Sequence, residues 1–223
     1  MAAYHQHMPA SASRTLRKPP SRYHHGDLRR ALLAEAVRTI ARDGVEGLTL
    51  REVGARLGVS RTALYRHFAD KSSLLAAVAR EGFERFTAAL RDAWGAHEGT
   101  RTGLERMGEA YVRFALENPA HYRVMFGDYR HLCEKDAELT AVAEGSFRVL
   151  LDAIVSLQEA NVIRRDDPRM QAHLVWSLVH GLAMLAIDGL GPPADAPGAL
   201  ADVVHFAIRR LGTGLDAPER KRR

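Results

Sequence analysis

Residues 58–68 read GVSRTALYRHF and place two apolar side chains, Leu64 and Phe68, four positions apart among residues that donate hydrogen bonds. No Asp or Glu occurs between Glu52 and Asp70, although an exposed helix normally carries acidic residues on its solvent-facing side. At 3.6 residues per turn, the two apolar side chains lie within about 40° of each other on a helix. The segment therefore predicts a short helix, ending near Phe68, that packs through one narrow stripe and exposes donors elsewhere.

A second short helix is predicted immediately before this segment, with a glycine turn between the two. Thr49 and Glu52 have the spacing of a capping box, in which each side chain satisfies a backbone N–H of the other residue. Gly58 is expected to adopt the left-handed conformation that ends a helix, and Ser60 is expected to cap the next one. Two short helices joined in this way form a helix-turn-helix pattern.

Apolar residues recur with helical spacing along most of the remaining chain. The stripe from Leu28 to Ile40 predicts a first helix that ends at Gly44, and Asp70 is expected to cap a long helix that runs to about residue 97. No window alternates with period two, so the predicted fold class is all-α. The predicted divisions are a disordered basic arm (1–22), a helix-turn-helix domain (23–71), a larger helical domain (72–215) and a basic tail (216–223).

Charge is distributed unevenly along the chain. Up to Lys71 there are 13 Lys and Arg against 6 Asp and Glu, whereas the remainder has 19 against 21. This asymmetry predicts that the first third binds a polyanion. Coding bias accounts for the preference for Arg over Lys, but it does not explain why the excess is concentrated at one end. A single cysteine, Cys133, together with the lack of a signal peptide or a membrane-length apolar run, predicts a soluble cytoplasmic protein.

The donor-rich helix has the properties of a helix that reads DNA. Arg61, Thr62 and Tyr65 are predicted to project from its N-terminal half, which is the part that reaches base edges in the major groove. Arg61 can bind guanine with two hydrogen bonds, Thr62 can contact a base or a thymine methyl group, and Tyr65 can reach a base or a phosphate. A solvated pair of amphipathic helices is the alternative. Three further residues lie at helix ends, where phosphate contacts fix the register: Thr49, His67 and Lys71.

Residues 47–75, GLTLREVGARLGVSRTALYRHFADKSSLL, resemble the DNA-binding segment of TetR-type transcriptional regulators, and the resemblance extends over residues 24–90. It implies an all-helical homodimer with an N-terminal three-helix DNA-binding domain joined to a larger ligand-binding and dimerisation domain. It further implies base contacts by Arg51, Arg61, Thr62 and Tyr65, and backbone contacts by Thr49, Ser60, His67 and Lys71. The C-terminal half resembles a subgroup with a Trp-x-x-x-His-Gly motif, represented here by Trp176, His180 and Gly181.

Several residues of the larger domain combine an apolar body with a polar tip, which suits the wall of a ligand cavity between helices. Each of them is alternatively an ordinary core or interface residue. His173 and His180 have no acidic or cysteine residue at helical spacing to complete a metal site, so neither a metal nor a cofactor is predicted. The predicted ligand-binding residues are Tyr111, His121, Tyr122, Met125, Phe147, Leu151, Trp176 and His180.

The segment 170–187 is apolar around most of its circumference, which predicts a helix buried on two sides, one of them against a second subunit. A central helix in a monomer is the alternative. No G-x-S-x-G, H-E-x-x-H or phosphate-loop motif occurs, so the chain is not predicted to be an enzyme. The predicted function is a ligand-responsive transcriptional repressor, a homodimer on a pseudo-palindromic operator that a small molecule releases. A helical enzyme with dispersed catalytic residues and a sequence-independent DNA-coating protein are the alternatives.

Overall fold

The computed structural model describes residues 25–127, 131–132, 136–191 and 199–214. Over these ranges the chain is helical and has no strand, which confirms the all-α prediction. The predicted arm (1–22), the whole predicted tail (216–223) and Cys133 lie outside the described residues. The helices are α1 (His25–Asp43), α2 (Leu50–Arg56), α3 (Arg61–Tyr65), α4 (Lys71–Gly95), α5 (Arg101–Glu117), α6 (Pro119–Phe126), α7 (Ala137–Glu159), α8 (Pro168–Ile187) and α9 (Ala199–Gly214).

The first three helices form a small domain whose core is the predicted apolar stripe of α1. Leu32, Ala36 and Ile40 have no exposed surface, and α2 and α3 add Val53 and Leu64 to the same core. The chain leaves α1 through Gly44 and leaves α2 through Gly58, whose φ angles are +73° and +64°. Those angles favour glycine, because a β-carbon is strained in the left-handed region. The helix-turn-helix prediction is therefore confirmed.

The caps of α2 and α3 follow the sequence prediction only in part. The Thr49 hydroxyl accepts the Glu52 N–H at 3.2 Å, and the Ser60 hydroxyl accepts the Ala63 N–H at 3.2 Å. The capping box predicted for Thr49 and Glu52 is wrong in its second half, because the Glu52 carboxylate accepts from Arg56 Nη2 at 2.8 Å instead of from the backbone. An ion pair one turn away is the stronger partner for an ionised carboxylate.

A reciprocal capping box forms at the start of α4. The Ser73 N–H donates to Asp70 Oδ1 at 2.7 Å, and the Asp70 N–H donates to the Ser73 hydroxyl at 3.1 Å. The predicted Asp70 cap is therefore correct. The helix before it, α3, ends at Tyr65 rather than near Phe68, but the Phe68 side chain is still buried and its N–H donates to the Leu64 carbonyl at 3.1 Å.

The long helix α4 connects the small domain to the rest of the chain. With 25 residues it extends about 37 Å, at 1.5 Å per residue. It packs against α1 of the small domain and against α5, α6 and α7 of the larger domain. The short helix α6 also packs against α1, so two elements of the larger domain contact the small domain directly.

The C-terminal helices complete the larger domain, in which α8 packs against α5, α7 and α9. By length and composition alone, α8 is apolar enough to cross a membrane. Its inner residues Val175, Val179 and Ala183 are buried in the helical bundle, whereas Met170 and Leu174 on another side are exposed. The helix is thus the two-sided apolar element that the sequence predicts, with one side covered within this chain.

The close contact of α2 with α3 provides a test of the small domain. A β-carbon on Gly54 would lie 2.9 Å from the Leu64 Cδ1 atom, whereas a β-carbon on Gly145 in α7 would meet nothing within 4 Å. We expect Gly54→Val to lower the free energy of unfolding by about 1–3 kcal/mol, because the buried Leu64 must move. Gly145→Val, the matched control, should stay within about 0.5 kcal/mol of the original protein. Urea unfolding measures both, and equal stabilities of the two variants would contradict the close packing of α2 on α3.

Candidate DNA-binding surface and ligand cavity

The exposed side of α3 carries three of the four residues predicted to contact bases. Arg61, Thr62 and Tyr65 are exposed, and Tyr65 keeps 45% of its surface accessible, while Leu64 and Phe68 are buried at 3%. The Arg61 guanidinium carbon lies 5.4 Å from the centroid of the Tyr65 ring. Such stacking restricts a long side chain without using its hydrogen-bond donors, so the guanidinium stays available to a base edge.

The residues predicted to contact the DNA backbone surround this helix. Thr49 and Ser60 are exposed, and each hydroxyl already accepts a backbone N–H as a helix cap. A capping hydroxyl keeps its own O–H as a donor, which suits a phosphate oxygen. His67 and Lys71 are half-buried, and Lys71 Nζ donates weakly to the Glu46 carbonyl at 3.5 Å. Arg51, the fourth residue predicted to contact bases, is exposed on α2.

Three carboxylates of α1 and α2, those of Glu35, Asp43 and Glu52, are paired with basic side chains. Glu35 is only 7% exposed and accepts from Arg38 Nη2 at 2.6 Å, and Glu52 accepts from Arg56. Across the described ranges no carboxylate pairs with the arginines of the other side. Three arginines of the small domain therefore carry a positive charge that no ion pair among the described residues neutralises. These unpaired arginines are Arg51, Arg61 and Arg66.

A cavity of about 720 Å³ lies in the larger domain, bordered by helices α4 to α8. Its volume is within the range of small-molecule binding sites. Most of its wall is apolar, and the aromatic residues come from five different helices. These aromatic residues are Phe83, Phe86, Tyr111, Phe126, Phe147 and Trp176.

Five of the eight predicted ligand-binding residues border this cavity: Tyr111, Met125, Phe147, Leu151 and Trp176. The other three, His121, Tyr122 and His180, do not border it, and their part in ligand binding stays a prediction. His121 is buried between α6 and α4, where its Nε2 atom lies 3.4 Å from Glu81 Oε1. Burial lowers the pKa of His121, although the Glu81 carboxylate opposes that shift.

Tyr122 and His180 form a hydrogen-bonded cluster directly behind the cavity wall. Tyr122 Oη donates to Tyr111 Oη at 3.0 Å, and Trp176 Nε1 donates to the same oxygen at 3.1 Å. His180 Nδ1 lies 2.7 Å from Tyr122 Oη and 3.0 Å from Tyr111 Oη. Burial raises the pKa of Tyr111 to about 12, raises the pKa of Tyr122 and lowers the pKa of His180. The cluster is therefore uncharged at neutral pH.

The sequence prediction missed the contribution of α4 to the cavity. Phe83 and Phe86 border the cavity from α4, and the Phe86 ring meets the Tyr111 ring edge-on with centroids 4.9 Å apart. The available signal was the aromatic spacing Phe83-x-x-Phe86 on a helix already predicted to reach residue 97. The charged residues Arg148 and Arg169 also border the cavity and carried no recognisable motif.

The fold combines a helix-turn-helix that exposes hydrogen-bond donors with a helical domain that contains an apolar cavity. This combination defines a class of DNA-binding transcriptional regulators. Residues 32–78 match the family model for bacterial regulatory proteins of the tetR family, and residues 104–211 match the tetracyclin repressor-like C-terminal domain. The chain belongs to the TetR family of transcriptional regulators, a family of soluble DNA-binding proteins. This membership confirms, at the level of the family, the resemblance seen in the sequence, while the subgroup suggested by the Trp-x-x-x-His-Gly motif stays a prediction.

Individual relatives agree with this membership. The HTH-type transcriptional repressor AcnR of Corynebacterium glutamicum is 38% identical over 191 residues, which cover 82% of this chain and 93% of that protein. The HTH-type transcriptional activator FasR of Mycolicibacterium smegmatis is 26% identical over 183 residues, covering 79% of each chain. A solved structure of a protein of unknown function from Rhodococcus sp. RHA1 superimposes with a TM-score of 0.77 at 34% identity, covering 89% of this chain and all of that one.

The cluster behind the cavity wall predicts unequal effects of two similar substitutions. Tyr111→Phe removes an oxygen that both Tyr122 and Trp176 use as acceptor, and we expect it to lower the free energy of unfolding by about 1–3 kcal/mol. Tyr122→Phe should cost only about 0.5–1.5 kcal/mol, because the Tyr111 hydroxyl can then donate to His180. Urea unfolding of both variants measures the difference. A larger loss in Tyr122→Phe would show that Tyr111 is not the centre of the cluster.

Proposed function

We propose that this protein is a ligand-released transcriptional repressor that binds a pseudo-palindromic operator as a homodimer. The observation that carries the proposal is the exposed side of α3, where Arg61 and Tyr65 face solvent and Arg61 has no carboxylate partner among the described residues. A DNA-reading helix requires this arrangement, because an acidic side chain there would face phosphates. The relative AcnR is named a repressor and FasR an activator, so the sign of the response is part of the proposal.

The proposed dimer rests on the exposed apolar residues of α8 and α9, two helices that pack against each other. Contiguous exposed apolar surface is uncommon on soluble monomers and is typical of subunit interfaces. A twofold axis through this surface would present two copies of α3, and operator half-sites would then be separated by about 34–36 Å or a multiple of it. The apolar residues concerned are Met170, Leu174, Leu185, Val203 and Phe206, which are between 40% and 69% exposed.

The proposed release mechanism uses the contacts of α6. Met125 and Phe126 of this helix border the cavity, and α6 packs against both α1 and α4. The contact with α4 is tight, since a β-carbon on Gly82 would lie 2.6 Å from the Met125 sulfur. A ligand that displaces Met125 or Phe126 would therefore also displace α4 or α1. We expect a coupling of about 1–3 kcal/mol, or about 5- to 150-fold in operator affinity, provided that the ligand favours the DNA-incompetent arrangement.

The remaining parts of the proposal concern partners, chemistry and location. Double-stranded operator DNA, a second copy of the chain and a small apolar effector are the proposed partners, and no cofactor is required. The protein would act by binding rather than by catalysis, as its relatives are transcriptional regulators. We place it in the cytoplasm, where a bacterial operator is accessible.

Selection of binding sites from random DNA, followed by footprinting, tests the DNA-binding proposal. We expect one protected pseudo-palindrome, and we expect Arg61→Ala to relax sequence preference at one base position per half-site by about 1–3 kcal/mol. Arg91→Ala is the matched control, because Arg91 is an exposed arginine about 30 Å along α4 from the small domain. Uniform protection of any DNA would favour a coating protein, and an equal loss on all sequences would assign Arg61 to a phosphate.

The dimer proposal is tested separately by placing a charge on the exposed surface. Phe206 of α9 is 63% exposed, and Phe206→Glu should shift the protein towards monomer and weaken operator binding by at least tenfold, since twofold readout is lost. Leu116→Glu is the matched control, because Leu116 is 40% exposed on α5 outside the α8–α9 surface. Sedimentation velocity and gel-shift titration provide the two readouts. A dimer that survives Phe206→Glu would place the interface elsewhere.

A further inference from the structure

The residues that border the cavity differ in exposure according to the helix that carries them. Residues contributed by α4, α5 and α6 are buried or half-buried. All four exposed bordering residues belong to α7 and α8, so the cavity opens to solvent between these two helices. We call this opening the cavity mouth, and its residues are Glu144, Arg148, Arg169 and His173.

Inside the mouth, the polar groups of the wall are already hydrogen-bonded within the protein. The Ser146 hydroxyl donates to the Ala143 carbonyl at 2.7 Å, and Trp176 Nε1 donates to the Tyr111 hydroxyl. The buried polar atoms without a partner in the described part of the chain belong to other places: Thr39, Arg80, Thr87 and His121. Since the wall offers no unpaired donor or acceptor, a polar group placed deep in the cavity would lose its hydration without compensation. The inner part of a ligand is therefore expected to be apolar.

Unlike the inner wall, the mouth offers unpaired polar groups, because it carries two arginines without a carboxylate partner. Neither Arg148 nor Arg169 forms an ion pair within the described ranges. Glu144 and Asp152 lie four residues before and after Arg148 on α7, and even so neither pairs with it. The Arg169 guanidinium carbon lies 5.8 Å from the centroid of the Phe147 ring, which holds the cation beside the opening. Guanidinium groups bind carboxylate and phosphate oxygens through paired hydrogen bonds.

We propose that the effector is an anionic amphiphile, with an apolar chain inside the cavity and a carboxylate or phosphate group bound at the mouth by Arg148 and Arg169. This inference rests on the proposed function, because it names the ligand of the cavity that the regulator would use. The volume sets the size of the chain. At roughly 30 Å³ per water-sized group, the cavity holds on the order of 20 non-hydrogen atoms, which suits a chain of a dozen carbons or more.

Calorimetric titration with matched probes tests the ligand class. We expect dodecanoate to bind at neutral pH and low salt on the order of tenfold more tightly than dodecan-1-ol, which has the same chain without the charge. Raising the salt concentration should reduce this ratio, because exposed charges are screened. Comparison with dodecyl phosphate distinguishes the two anionic groups. Equal affinity for dodecanoate and dodecan-1-ol, or no binding of any of the probes, would overturn the proposal.

Substitution of the two arginines locates the anionic group. In Arg148→Gln/Arg169→Gln we expect dodecanoate to lose its advantage over dodecan-1-ol, because both arginines lie at the exposed mouth and the apolar inner wall is unchanged. Arg91→Gln is the control for a general change in charge. A double variant that still prefers dodecanoate would overturn the assignment of the mouth.

The same samples separate failure of the ligand class from failure of the regulator proposal. If no palindrome is protected in footprinting but dodecanoate binds with the expected preference, the ligand class stands and the repressor function fails. If a palindrome is protected but the probes show no preference, the repressor function stands and the ligand class is wrong.

Discussion

The structure depends on one long helix, α4, that packs against both the small N-terminal domain and the helices around the cavity. The first turns of α4 bury Leu74, Leu75 and Val78 beside the small N-terminal domain, and its middle turns place Phe83 and Phe86 in the wall of the cavity. A small three-helix unit has too little apolar surface to be stable alone, so it requires this support. In the proposed release mechanism, a displacement at the cavity would change the orientation of α3 through this helix. The Asp70–Ser73 capping box fixes the point where this connection begins.

In the small domain, the position of the charges matters more than the net charge. The carboxylates of Glu35 and Glu52 accept from arginines of α1 and α2, and this pairing removes them from the surface that α3 exposes. The Glu52–Arg56 pair is partly exposed, and ion pairs at the surface contribute little to stability. Their consequence is electrostatic, because the arginines left without partners define a positive surface around Tyr65. The stacking of Arg61 on Tyr65 restricts the orientation of the Arg61 side chain on that surface.

The sequence predicted the features that depend on neighbouring residues and failed where distant helices meet. Gly44, Gly58, Ser60 and Asp70 were assigned correctly, since caps and left-handed turns follow from a few adjacent residues. The Glu52 box failed because Arg56, one turn along, competes for the carboxylate. For the cavity, helical spacing placed Trp176 and His180 on one side of α8, but only the crossing of α5, α6 and α8 decides that Trp176 borders the cavity and His180 lies behind it. Whether any of these residues contacts DNA or a ligand stays a prediction.

The position of the cavity mouth on α8 links the opening to the outer surface of the protein. Arg169 and His173 border the mouth, and the next residues along the helix, Met170 and Leu174, belong to the exposed apolar surface about 100° around the axis. A second subunit bound to that surface would lie beside the cavity mouth and narrow the opening. Entry and escape of a small molecule would then be slower in the assembled pair than in a separated chain, and dilution of the protein would shorten the residence time of its ligand.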